Sequence, residues 1–159
     1  MTIDALSEVL WHERSLLELL LFKLEEEQLL LTSGRTRWLP HATREVEAVL
    51  DQIRDAELGR SVEASAACAA LGLPDGASLA QLADAAPAPW DDLLRQHRAA
   101  FATLTTEISQ LADGNRELLA MSHRATQETL ASMHDVATYD GTGQSTSRRA
   151  DALLVDRTL

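Results

Sequence analysis

The chain has 159 residues, and 14 Lys and Arg stand against 25 Asp and Glu, which gives a formal net charge of −11. This charge argues against nucleic-acid binding, because phosphate neutralisation needs clustered Lys and Arg side chains. A single cysteine, Cys68, excludes an intramolecular disulfide framework. No apolar run reaches the roughly 20 residues that span a bilayer, and the N-terminal residues lack a signal-peptide pattern. We therefore expect a cytoplasmic protein with no nucleic-acid partner and no stable membrane insertion.

An apolar stripe at helical spacing predicts the first helix over about residues 2–31. Isoleucine and leucine recur at steps of three and four residues from Ile3 to Leu31, and no Gly or Pro interrupts the run. The glutamates mostly fall outside this stripe, so we expect Glu25, Glu26 and Glu27 to form a solvated helix face. Gly34 is expected to end the helix, since glycine adopts a left-handed conformation at little cost.

A second helix is predicted over about residues 39–70, followed by a short connector helix over about 78–85. Pro40 fits the first turn of the second helix, where a backbone N–H would have no partner. Gly72 and Pro74 end that helix, and Ser78 is a suitable N-terminal cap for the connector. Cys68 has no cationic neighbour in its alanine-rich stretch, so we expect it to be a buried small apolar residue.

The longest predicted helix covers about residues 90–135. Gly114 leaves two possibilities open: an unbroken helix of roughly 45 residues, or a break that creates a fourth bundle helix. An unbroken helix would be longer than its two partners and would leave leucine and methionine side chains free to bind another protein. The residues that alternate at steps of four and three are Trp90, Leu94, His97, Phe101, Leu104, Ile108, Leu111, Asn115 and Leu118.

These segments predict an all-α protein, an antiparallel bundle or coiled coil of three long helices with a short connector helix. No segment shows the period-two alternation of a β-strand. The chain after Met133 becomes polar and rich in turn-forming residues. We therefore predict a helical domain over residues 1–137 and a flexible C-terminal tail over residues 138–159.

No recognisable catalytic motif is present, so we predict that the protein is not an enzyme and uses no cofactor or metal. A phosphate-binding glycine loop, a nucleophile elbow and a metalloprotease motif are all missing from the sequence. Glu8 and His12 lie one helical turn apart, which leaves a metal-binding bundle as an alternative hypothesis if other carboxylates contribute. An exposed pair is the simpler interpretation. His97 occupies a heptad core position and is interpreted as a packing residue.

Several segments of the C-terminal third together carry a resemblance to a known family. Asn115-Arg116-Glu117-Leu118-Leu119 is followed by Gln127 and Leu130, and then by Tyr139-Asp140-Gly141-Thr142-Gly143-Gln144. With Ala70-Leu71-Gly72-Leu73 upstream, this order resembles the FlgN family of flagellar type III export chaperones over nearly the whole chain.

The resemblance implies a chaperone that binds the C-terminal helical segment of hook-associated (hook–filament junction) proteins. It also implies that the chaperone prevents their premature assembly and delivers them to the cytosolic platform of the flagellar export gate, where Tyr139 would dock. The alternative hypothesis is a structural coiled-coil protein that self-associates, for example as a homodimer. The client-binding residues that the resemblance implies are Asn115, Leu118, Leu119, Met121, Ala125, Leu130 and Met133.

Overall fold

The computed structural model describes residues 2–138, which are helical apart from short connections and contain no β-strand. The all-α prediction is therefore confirmed for this part of the chain. Helix α4 runs unbroken through Gly114, so the continuous long helix is the arrangement observed. The division into a domain over 1–137 and a tail over 138–159 remains a prediction, because residues 139–159 lie outside the described part. The helices are α1 (Thr2–Thr32), α2 (Leu39–Ala70), α3 (Leu79–Ala85) and α4 (Trp90–Thr138), with a 3-10 turn at Thr36–Trp38.

The helix ends follow the capping signals in the sequence. Gly34 has a φ of 71° just after α1, which is the left-handed conformation expected of it. Gly72 has a φ of 69° just after α2, where the second helix was predicted to end. Ser78 caps α3: its Oγ accepts from the Gln81 N–H at 3.2 Å, and the Gln81 side chain accepts from the Ser78 N–H at 2.9 Å. The predicted cap at Ser78 is therefore confirmed.

The chain forms two compact units, one ending at Asn115 and the other beginning at Arg116. In the first unit, α1 and α2 are antiparallel: Glu13 pairs with Arg60 at 2.9 Å, and Lys23 pairs with Glu45 at 2.9 Å. The part of α4 in this unit runs in the same direction as α1, because its contacts with α1 advance in step along both helices. Near its start, the ring of His97 contacts Trp11. At its end, Asn115 binds Leu24.

Two apolar clusters hold the first unit together. The larger cluster joins all four helices, and the smaller one lies along α1, α2 and the middle of α4. Burial of such aliphatic side chains stabilises the fold by about 1.5–3 kcal/mol for each large residue. Cys68 belongs to the larger cluster and is a buried free thiol, which confirms its interpretation as a small apolar residue. The buried members of the larger cluster are Ile3, Leu6, Leu10, Ala67, Cys68, Leu82, Ala83, Ala86 and Leu94.

Candidate partner-binding site

The predicted binding residues fall into two groups, and Asn115 stands apart from the others. Asn115 is buried in the first unit, where its Nδ2 donates to the Leu24 carbonyl at 2.9 Å and to Glu27 Oε1 at 3.1 Å. Glu27 Oε2 in turn accepts from Thr43 Oγ1 at 3.2 Å. These hydrogen bonds connect α4, α1 and α2. The Asn115 amide therefore makes its hydrogen bonds inside the first unit, and its side chain is not accessible to a partner.

The remaining predicted residues belong to the second unit, where most are exposed. Leu118 and Leu119 are half-buried, whereas Ala125 and Met121 are exposed to solvent. Leu130 is 60% exposed and Met133 is 59% exposed. Large apolar side chains at this exposure lack the packing that stabilises a core, so they are available to a partner.

Five apolar residues of the second unit share one side of α4, which we call the apolar α4 face. A helix advances about 100° per residue, which places all five within an arc of about 120°. This set includes a residue that the sequence analysis missed, since Val136 is 74% exposed and follows Met133 by one helical step of three. The members of the apolar α4 face are Leu118, Leu119, Leu130, Met133 and Val136.

Two of the predicted residues do not share this face fully. Met121 follows Leu119 by two positions, so its side chain leaves the helix about 160° away from that of Leu119. Ala125 lies at the edge of the face, one heptad after Leu118. A single partner helix that contacts Leu119 and Leu130 therefore cannot pack on Met121 in the same way.

The middle of the apolar α4 face contains hydroxyl residues that bond to their own helix. Thr126 Oγ1 donates to the Ser122 carbonyl at 2.9 Å, and Thr129 Oγ1 donates to the Ala125 carbonyl at 2.9 Å. Because these hydroxyls already have acceptors, each threonine can offer its methyl group to a partner without leaving a polar group unpaired. These two threonines therefore present a less polar surface to a partner than threonines with unbonded hydroxyls would.

Two glutamates of α1 that the sequence placed outside the core are buried. Glu27 is not part of a solvated face, so that expectation is wrong for this residue: it points inward to meet Asn115 and Thr43. Glu13 is buried beside Arg60, and burial, more than any neighbouring charge, raises the pKa of its carboxyl. The heptad spacing could have indicated their burial, since Glu13 and Glu27 each lie seven residues from Leu20, which is a buried core residue.

His97 is completely buried and packs among aromatic rings. Its ring lies edge-on to Trp11 at 4.7 Å between centroids and is stacked on Phe101 at 6.2 Å. Neither ring nitrogen has a hydrogen-bond partner among the described residues. Burial lowers the pKa of His97, and the nearby positive charge of Arg14 lowers it further. The interpretation of His97 as a packing residue is confirmed.

Residues 2–138 contain no group of three or more His, Cys, Asp or Glu side chains arranged to hold a metal ion. Glu8 and His12 are both exposed on α1, and the metal hypothesis therefore has no third ligand in this part of the chain. No helix in the same residues is both long enough and apolar enough to cross a membrane. Tyr139, predicted for docking at the export gate, lies outside the described residues.

The fold places the chain in the class of small helical proteins, and its sequence assigns it within that class. The family described as FlgN protein matches residues 1–147, so the chain belongs to the FlgN family. This is a family of flagellar export chaperones, and the chain accordingly has a flagellar export chaperone role. No match was found among curated proteins or among solved structures.

Proposed function

We propose that this chaperone binds the C-terminal helical segment of a hook-associated protein through the apolar α4 face. The single observation that carries the proposal is the exposure of Leu130, Met133 and Val136 on one side of one helix. An amphipathic client helix would bury these side chains by presenting its own apolar residues at steps of three and four. The bound client segment would then be unable to assemble with other junction proteins before export.

The expected strength of this contact follows from the apolar area involved. Each large aliphatic side chain that passes from water into a packed interface contributes about 1.5–3 kcal/mol. Part of this is offset by the loss of translational and rotational freedom on association. Met133 has an unbranched, polarisable side chain that adapts to differently shaped neighbours, which suits a surface that receives a client segment. The half-buried Leu118 and Leu119 extend the same face toward the start of the unit.

We further propose that the long helices form an antiparallel bundle of three and that the protein acts in the cytoplasm. The antiparallel pairing of α1 with α2 through Glu13 and Arg60, and the bond from Asn115 to α1, support this arrangement. We propose that the chaperone delivers the client to the cytosolic platform of the export gate and that Tyr139 docks there. A tyrosine suits such docking because its ring can be buried while its hydroxyl finds a partner.

Titration calorimetry of the purified chaperone against C-terminal segments of the hook-associated proteins of the same bacterium tests the client proposal. We expect saturable binding with one client segment per chaperone and a negative heat-capacity change, because apolar surface is buried. If a folded chaperone binds none of these segments, the proposed client is wrong.

Sedimentation velocity distinguishes client binding from the alternative of self-association through the same face. A client-binding chaperone is expected to sediment as a monomer at low micromolar concentration and to shift only when the client segment is added. A tight dimer that dissociates when Leu130 is changed to Asp would instead favour the structural coiled-coil protein.

A further inference from the structure

The first unit is strongly acidic, yet the segment that joins α1 to α2 is basic. Residues 1–115 contain 19 Asp and Glu against 9 Lys and Arg, which gives this unit a net charge of −10. Residues 28–44 contain no Asp or Glu and include three arginines. We call this region the hairpin tip and define it by Leu29, Arg35, Arg37, Trp38, His41 and Arg44. The sign of the charge at the hairpin tip is therefore opposite to that of the unit that carries it.

The three arginines of the hairpin tip are not paired with carboxylates of the described residues. Of the other exposed arginines in the first unit, Arg54, Arg60 and Arg95 pair with carboxylates, as Arg54 does with Asp51 at 2.7 Å, whereas Arg98 has no such pair among residues 2–138. Arg35, Arg37 and Arg44 form no ion pair with any carboxylate of residues 2–138. The groove beside the tip is also lined by two carboxylates, Glu26 and Glu45, which share the single ammonium of Lys23 at 3.3 and 2.9 Å. The charges that line the groove therefore balance, and the excess positive charge of the tip comes from Arg37 and Arg44, which lie outside the groove lining and have no carboxylate partner in the described part of the chain.

The hairpin tip also exposes an aromatic and an aliphatic side chain beside these cations. Trp38 is 46% exposed and Leu29 is 67% exposed. The Arg37 guanidinium lies 4.6 Å from the centre of the Trp38 ring, and the His41 ring lies 5.7 Å from it. Leu29, Trp38 and His41 border a groove of about 550 Å³, which Arg35 also lines. Tryptophan and arginine side by side are the residue types that dominate the energy of protein interfaces.

We propose that the hairpin tip is a docking surface for an acidic peptide segment of a protein partner, one that places an apolar side chain in the groove beside Trp38. The partner is expected to be acidic because the unpaired arginines attract negative charge. It is expected to contribute an apolar side chain because Trp38 and Leu29 are exposed and would be buried by one. The proposal concerns residues of the first unit and stands independently of client binding by the apolar α4 face.

A protein segment fits this surface better than an anionic membrane does. A lipid surface extends well beyond the tip, and the first unit that carries the tip has a net charge of −10. An anionic membrane would therefore repel the unit within the Debye length of about 8 Å at physiological salt. A short acidic peptide can contact the arginines alone and avoid this repulsion.

The test measures binding of a fluorescein-labelled peptide in which Glu–Asp pairs alternate with leucine, added to the full-length protein at about 0.15 M salt, where the Debye length is about 8 Å. A peptide with Gln and Asn in place of every acid is the matched control probe. We expect saturable binding of the acidic peptide, at least about 10-fold weaker binding of the amide peptide, and weakening as salt rises. Equal binding of the two peptides, or no binding of either, overturns the proposal.

Two charge-matched double variants locate the binding site on the protein. Arg35→Gln with Arg37→Gln is expected to weaken binding of the acidic peptide by about 10-fold or more, since each change removes one contacting charge. Arg54→Gln with Arg95→Gln lowers the net charge equally at other exposed positions and is expected to change binding less than about 2-fold. Trp38→Ala is expected to weaken binding of both peptides.

Three results would overturn the assignment. The first is an equal loss of peptide binding in the two double variants, which would mean that general charge attraction is responsible. The second is unchanged binding in all three variants, which would place the site elsewhere. The third is that the protein binds phosphatidylglycerol vesicles more strongly than it binds the acidic peptide, and that this vesicle binding depends on Arg35 and Arg37. Circular dichroism of each variant verifies that the helices remain folded.

Discussion

Asn115 and Glu27 are separated by 88 positions in the sequence and meet in the interior of the first unit, where Asn115 Nδ2 donates to Glu27 Oε1 at 3.1 Å. The same nitrogen also donates to the Leu24 carbonyl at 2.9 Å, and Thr43 donates to the second carboxylate oxygen of Glu27 at 3.2 Å. A buried carboxylate is thus held by donors from two other helices. Such a network is stable only while each donor remains in place.

Asn115→Ala is expected to destabilise the protein by about 2–3 kcal/mol, because it leaves the Glu27 carboxylate buried with one donor fewer. Urea denaturation followed by circular dichroism at neutral pH measures this change. Gln110→Ala, at an exposed position of the same helix, is the matched control and is expected to cost less than about 0.5 kcal/mol. An equal cost for the two variants would show that the Asn115 hydrogen bonds contribute nothing to stability.

Leu119→Asp combined with Leu130→Asp is expected to weaken binding of the hook-associated segment by about 100-fold or more, since two apolar anchors are lost. Ala120→Asp combined with Ala131→Asp is a matched control. It adds the same charge at the same eleven-residue spacing, turned about 100° around the helix. The control is expected to bind within about 3-fold of the unmodified protein in calorimetry. Equal weakening in both pairs would contradict the proposed position of the binding face.

Tyr139→Ala is expected to leave client binding unchanged and to weaken binding of the client-loaded chaperone to the cytosolic platform of the export gate. The first effect is measured by calorimetry with the client segment, and the second by pull-down on the purified platform domain. Tyr139→Phe serves as the conservative control, because it retains the ring and removes only the hydroxyl. Loss of client binding in Tyr139→Ala would assign the tyrosine a structural role instead.

The buried His97 is expected to make stability depend on pH. Its folded-state pKa lies below the ordinary value of 6.5, so the unfolded chain binds more protons than the folded chain at pH values between the two. Stability is therefore complete above about pH 7 and falls as the pH drops through 6.5 toward the folded-state pKa. Urea midpoints measured between pH 8 and 5 follow this change.

His97→Phe is expected to reduce this pH dependence, since it removes the titrating group and retains a flat ring beside Trp11. His123→Gln, at an exposed position of α4, is the control and is expected to leave the pH dependence unchanged. An unaltered profile in His97→Phe would show that other groups are responsible for the loss of stability at low pH.

Glu13→Gln is expected to stabilise the protein modestly at pH 7, by no more than about 1–2 kcal/mol. Burial raises the pKa of Glu13 despite the Arg60 charge, so the folded state binds the proton more tightly than the unfolded state does. The ionised carboxylate therefore opposes folding once the pH exceeds its folded-state pKa. The gain should shrink as the pH falls toward 4, and thermal unfolding at both pH values measures it. A gain that grows at low pH would contradict this account.

The helices were predictable because apolar periodicity and capping residues act locally. The stop at Gly34, the stop at Gly72 and the cap at Ser78 depend on backbone conformations and hydrogen bonds within a few residues. Gly114 was different, since a glycine lowers helix propensity by only about 1 kcal/mol and cannot by itself decide whether a helix breaks. The structure resolves that alternative in favour of a continuous α4.

The buried polar residues were not predictable in the same way, because their partners are distant in sequence. A glutamate in an acidic run is usually solvated. Burial of Glu27 costs desolvation free energy, and the hydrogen bonds donated by Asn115 and Thr43 offset that cost. The apolar α4 face was predictable in part. Leu130 and Met133 were named from the sequence, whereas Val136 was missed and Met121 was assigned to a surface that it does not share with Leu119.

The threonines at the centre of the apolar α4 face have a consequence for which client sequences can be accepted. Their hydroxyls are occupied by carbonyls of α4 itself, so these two threonines impose no hydrogen-bond requirement of their own on an incoming helix. At these two positions, discrimination between clients then depends on how the incoming helix spaces its apolar side chains, rather than on a polar partner for either threonine. We expect the surface to tolerate many substitutions in a client while rejecting one whose apolar residues are shifted in register.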